Sequence, residues 1–132
     1  MGEALINRHD LETAYPQWGL GSSAPRERRL HEIDMERRVS DYIPKLPFLW
    51  VDIDDDPGPD SDRAYIERNA IALVSNYNRE SNAPRNATWL GLDSPVGRMR
   101  ESGLWNSNHV DETYDPDFLH LLEARIQETG PP

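Results

Sequence analysis

The stretch SDRAYIERNAIALVSNYN, Ser61 to about Asn78, does most to constrain the fold. Ile66, Ala70, Leu73, Val74 and Tyr77 recur at i, i+4, i+7, i+8 and i+11, the spacing of one apolar helical face. Ser61 has the side chain of an N-cap, and Asp60 and Asp62 sit near the positive end of the helix dipole. Glu67 breaks the pattern. It lies one turn before Ile71 and two turns before Val74, so the spacing puts its carboxylate inside the apolar arc. There it must be paired, neutralised or used. Spacing alone leaves two readings open: a rim carboxylate or salt bridge to Arg63 at i−4, or a functional group.

Such a helix needs a core to pack on. A chain of 132 residues is long enough for one domain with a real core, and its four Trp and five Tyr argue for burial. Within the single domain 1–132 the chain divides into an N-terminal helix and loop (1–34), a helix-strand-helix centre (35–78) and a helical extension (79–132). Gly2–Arg8 reads as a short helix ended by His9–Asp10, and Glu12–Arg29 as a loop broken by Pro16, Gly19, Gly21, Ser22, Ser23 and Pro25. Asp34 caps a second expected helix running to about Ile43, with Met35, Val39, Tyr42, Ile43 and Leu46 in register and Pro44 as its stop. Phe48–Asp54 alternates as a strand, with Leu49, Val51 and Ile53 on one face and Phe48 and Trp50 on the other. Trp89–Leu90–Gly91 reads as a short buried segment. Ser94–Pro95 opens a short helix ended by Gly103, and Asp115–Pro116 opens the last, docking through Phe118, Leu121, Leu122 and Ile126. The expected fold is therefore α+β, about five helices around one or few strands. A single strand leaves a long edge open or covered by the N-terminal loop.

Several function classes fall away. No run approaches the length of a membrane span, and no basic region followed by an apolar stretch opens the chain, so neither a membrane partner nor a signal peptide is expected and a cytoplasmic location follows. With no cysteine there is no disulfide framework and no thiolate metal site. The acidic run Asp52–Asp56 fails as an EF-hand, because Pro57 stands where the loop needs glycine and Arg63 where it needs glutamate. The net charge is −10, and the basic set is thirteen Arg with one lysine, Lys45. An acidic, lysine-poor chain fits a cytoplasm at molar salt, as in a halophilic archaeon, where screening shortens to a few Å and self-repulsion costs little; the alternative is an ordinary mesophilic acidic protein.

The remaining candidate contacts are few. Arg26, Arg28 and Arg29, with His31, form the most basic stretch, either a phosphate contact or a solvated face paired to neighbouring acids. Asn106, Asn108 and His109 beside Trp105 either line a polar pocket or satisfy the backbone of a structured loop.

Specific residues then meet a known pattern. RAYIERNAIALVSN, WLG, SGLWN and YDPDFL resemble the later part of a prokaryotic branch of the GIY-YIG nuclease superfamily. The likeness runs from about Trp18 to Leu122 and is strongest at Pro47–Trp50 and Arg63–Asn76. It implies a small three-stranded antiparallel sheet flanked by helices, whose third strand looks like Phe48–Asp54. It also implies that Glu67 is the catalytic, metal-binding glutamate, with Mg²⁺ as cofactor and DNA as partner. Arg63 is the neighbouring candidate for phosphate contact. The two tyrosine motifs that name the superfamily, and the helix bearing its arginine, precede this region in the family and have no counterpart here; Met1 begins after them. The resemblance thus implies the C-terminal part of a metal-dependent endonuclease, truncated or degenerate, with little activity alone, or a non-catalytic interaction module on the same scaffold. Whether the chain is an enzyme stays open. Apolar residues left uncovered, Phe48 and Trp50 first, imply self-association or a partner chain.

Overall fold

A computed structural model describes residues 1–19, 25–79 and 85–129. Helices α1 (Gly2–Arg8), α2 (Arg26–Tyr42), α3 (Asp62–Val74), α4 (Gly97–Ser102) and α5 (Phe118–Thr129) carry it, with 3₁₀ turns at Ile43–Lys45 and Leu90–Asp93. The described residues contain no strand, so the expected α+β class is corrected to an all-helical one. Phe48–Asp54 is neither helix nor strand; alternation only fits a residue run to a sheet, and a strand also needs a neighbour to share its ladder. Among the described residues no backbone group of Phe48–Val51 finds one.

Packing divides the helices into two groups. In the first, Ala4, Leu5 and Ile6 of α1 meet Met35 of α2 and Leu90 in a buried cluster, with Trp18, Val39, Tyr42 and Trp105 packed around it. Gly2 is there for close approach: a Cβ would run into the Trp18 indole. Arg8 ties the end of α1 to the 90–93 turn, donating from Nε to Asp93 Oδ2 at 2.7 Å and from Nη2 to the Trp89 carbonyl at 2.8 Å. In the second group, α3 packs on α5. The groups meet through loops. The Asn76 N–H donates to the Ser102 carbonyl at 2.8 Å, and Ser75 Oγ donates to the Val110 carbonyl at 2.6 Å.

Helix boundaries follow local chemistry. Ser61 caps α3 as expected, its Oγ accepting the Ala64 N–H at 3.1 Å. The helix ends at Val74, four residues before the expected Asn78, because Ser75 turns away to its buried bond with Val110. Gly103 closes α4 in the left-handed region at φ 78°. Asp115 opens α5, its Oδ1 accepting the Asp117 N–H at 3.0 Å. Helix α2 begins at Arg26, so Asp34 is interior and pairs with Arg37 at 3.3 Å; the expected cap and the expected loop as far as Arg29 are corrected. Its breakers Gly21, Ser22 and Ser23 lie outside the described residues.

Candidate functional site

Helix α3 carries the candidate site, and the register of its buried face decides what Glu67 is. Ile66, Asn69 and Ala72 are buried, with Tyr65, Ala70 and Leu73 half-buried, while Glu67, Arg68 and Val74 face outward. Glu67 is exposed, so its expected place inside the apolar arc is corrected. The reason lies at Asn69. A polar side chain, not an aliphatic one, occupies the centre of the buried face, and that rotates the helix away from the arc that apolar spacing suggests. Asn69 accepts the Asp115 N–H at 2.7 Å and donates to the Tyr65 carbonyl at 2.8 Å, locking α3 to the start of α5. Tyr65 donates its hydroxyl to Asp115 Oδ2 at 2.7 Å. That bond holds the Asp115 carboxyl below the usual aspartate range and pushes the Tyr65 phenol above the usual tyrosine range.

Arg63, the expected partner of Glu67, is committed elsewhere. Its Nη2 donates to the Ile53 carbonyl at 3.2 Å and to Asp55 Oδ1 at 3.0 Å, and its backbone N–H donates to Asp55 Oδ2 at 3.1 Å. Asp55 thus serves as a second cap for α3, which accounts for part of the acidic run. The Glu67 carboxylate makes no ion pair among the described residues.

The other expected contacts scatter. Arg26 and Arg29 line one shallow hollow of about 340 Å³ with Leu30, Ile33 and Glu36. Arg28 faces a different one, of about 380 Å³, among Tyr15, His31, Glu27 and Glu32. The three arginines therefore make no single anion site, and helix α2 that bears them packs on α1, not on α3. Asn106 accepts the Asn108 N–H at 2.8 Å, a turn within its own loop. His109, at φ 59°, meets Glu112 Oε1 through Nδ1 at 2.6 Å, and the other oxygen of Glu112 lies 3.7 Å from Arg68 Nε. Among the described residues, and of the expected ones outside α3, His109 is linked toward the outer face of α3 through Glu112 and Arg68, and Asn106 is not.

Sequence reasoning missed Asn69, Glu112 and Arg79. The Arg79 guanidinium donates to the carbonyls of Ala72 at 2.7 Å, Ser75 at 3.2 Å and Glu112 at 3.0 Å, gathering the end of α3 and the 110–112 loop. A cation just past a helix C-terminus is a recognisable signal for such a role. No signal of that kind marks Glu112, whose partners are brought in by the loop.

The donor set around Glu67 bears on a divalent cation. No group of three or more His, Asp or Glu side chains gathers among the described residues. Mg²⁺ keeps several waters and is commonly held by one or two carboxylates with substrate phosphates. Among the described residues the exposed Glu67 would fit as one ligand of such an ion, completed by waters and a phosphate, and does not fit a resident ion held by protein alone. No helix among the described residues is long and apolar enough to cross a membrane.

The family model described as "GIY-YIG domain" matches the chain over residues 1–132. No curated protein and no solved structure matches it.

Proposed function

The chain belongs to the GIY-YIG domain family, and on that footing we propose a nuclease-like protein with little cleavage activity alone, in which Glu67 is the group that meets a divalent cation at a DNA phosphate. The observation that carries this reading is the exposed Glu67 carboxylate, free of any ion pair among the described residues, on the helix that the family resemblance assigns to the metal glutamate. A carboxylate spent on a structural bridge could not take this role.

The bound cation would supply charge stabilisation at the scissile phosphate. Glu67 contributes one negative ligand at the solvent face of α3. Arg63 is withheld from phosphate by Asp55 and Ile53, so it does not steady charge beside Glu67. Low activity by the chain alone follows from that commitment of Arg63.

A second reading, a non-catalytic interaction module on this scaffold, is favoured by one observation: Phe48, Leu49 and Trp50 all stand exposed. One pair of measurements separates the two. Mn²⁺ titrated into isotope-labelled protein in molar KCl should broaden the amide signals around Glu67, and Glu67→Gln should remove that broadening. Supercoiled plasmid should be nicked slowly with Mg²⁺ by the wild type and not by the variant. Absence of localised broadening sinks the cation role, and fast nicking sinks the low-activity reading.

A further inference from the structure

Among the described residues, the arm that follows α2 and its 3₁₀ turn is the least satisfied segment. Phe48 is 83%, Leu49 99% and Trp50 61% exposed. Among the described residues its hydrogen bonds lie at its far end, where the Asp52 N–H donates to Thr129 Oγ1 at 2.9 Å and Arg63 grips the Ile53 carbonyl. Among the described residues the backbone groups of Phe48–Val51 have no partner. Three adjacent large apolar side chains beside an open backbone edge make a template for another strand.

We propose that Pro47–Val51 pairs antiparallel with the same segment of a second copy of this chain. The charges at its two ends favour this occupant. Leu46–Val51 carries no charge, Lys45 stands at one end and Asp52, Asp54, Asp55 and Asp56 at the other. Antiparallel pairing sets Lys45 of each copy toward the acidic run of the other, twice by symmetry. Parallel pairing would stack the two acidic runs.

Proline selects the register. Pairing centred on Leu49, with Leu49 opposite Leu49 at a non-hydrogen-bonded position, puts Phe48 and Trp50 opposite each other, where they exchange N–H···O bonds. Pro47 then faces Val51 at a position that asks for no N–H, so its ring costs nothing. The aromatic pair Phe48–Trp50 forms twice across the two-fold, a contact type that stabilises sheets. Thr129 already takes the Asp52 N–H, which ends the ladder at Trp50.

Opposing this contact is the net charge of −10 on each copy. Salt screens that repulsion and strengthens apolar burial, so association should be tighter in molar KCl than in dilute buffer. Sedimentation of the full chain in molar KCl should give twice the chain mass. Trp50→Asp should give a monomer with unchanged helical circular dichroism, since Trp50 is outside the core. The chain has no cysteine, so Leu49→Cys should close a disulfide across the two-fold under mild oxidation, while Ser40→Cys on exposed α2 should not. A wild-type monomer in molar KCl, a dimer that survives Trp50→Asp, or equal cross-linking of the two cysteine variants would overturn the proposal.

Discussion

Two regions of this protein have similar apolar content and opposite fates. At the α3–α5 junction Phe118 is fully buried, its ring edge-on to Tyr114 at 6.1 Å. Tyr65, Asn69 and Asp115 there exchange hydrogen bonds of 2.7 Å. In the arm, Phe48, Leu49 and Trp50 meet solvent and their backbone bonds to nothing described. Hydrophobicity does not separate the two. What separates them is whether the polar groups alongside have partners, because burial of a side chain brings its backbone with it and unpaired backbone cannot be buried cheaply.

The largest expected effect breaks the comparison at its apolar term. Phe118→Ala should cost about 3–5 kcal/mol, the usual loss for truncating a buried ring, whereas Phe48→Ala in the monomer should stay within about 0.5 kcal/mol. Urea unfolding of the two variants against wild type, in the same salt, reads the contrast directly. Equal losses would mean that the arm is packed and the comparison false.

The polar term comes next. Asn69→Ala leaves the Asp115 N–H without its acceptor and should cost about 1–3 kcal/mol, although it removes no apolar contact of consequence. A melting temperature matching wild type would show that water replaces the bond and that the junction is less closed than its geometry.

The bond between Tyr65 and Asp115 sharpens the same point through pH. Folding lowers the Asp115 pKa, so its contribution is present above the ordinary aspartate range and is lost as pH falls through the native value. Folding raises the Tyr65 pKa, so its share persists through neutral pH and is lost as pH rises through the native phenol's value. Asp115 is exposed and Tyr65 only half-buried, so the effect on stability should be small. Tyr65→Phe should flatten the acid limb of a melting-temperature profile. An acid limb unchanged in the variant would assign that loss to other carboxylates.

Glu67→Gln should have the smallest effect, within about 0.5 kcal/mol, because an exposed carboxylate without an ion pair loses little when neutralised. Differential scanning calorimetry with and without Mg²⁺ checks it. A gain of several degrees in the variant would restore the picture of a desolvated charge that the apolar spacing implied.

Local signals determined a good deal by themselves. Ser61 as the cap of α3, Gly103 as the left-handed stop of α4, His9–Asp10 at the end of α1 and Asp115 at the start of α5 were all legible, because caps and turns are decided by neighbours in the chain. The family was legible too, in runs such as RAYIERNAIALVSN, and the match over residues 1–132 agrees with it. The rotation of α3 was not. Apolar spacing turned Glu67 inward, and only the distant Asp115 amide, waiting for Asn69, turned it out. Nor was the state of Phe48–Asp54 legible as a strand or an open arm. Alternation is a property of the segment, but a ladder belongs to two segments, and whether the second one is present is settled in three dimensions.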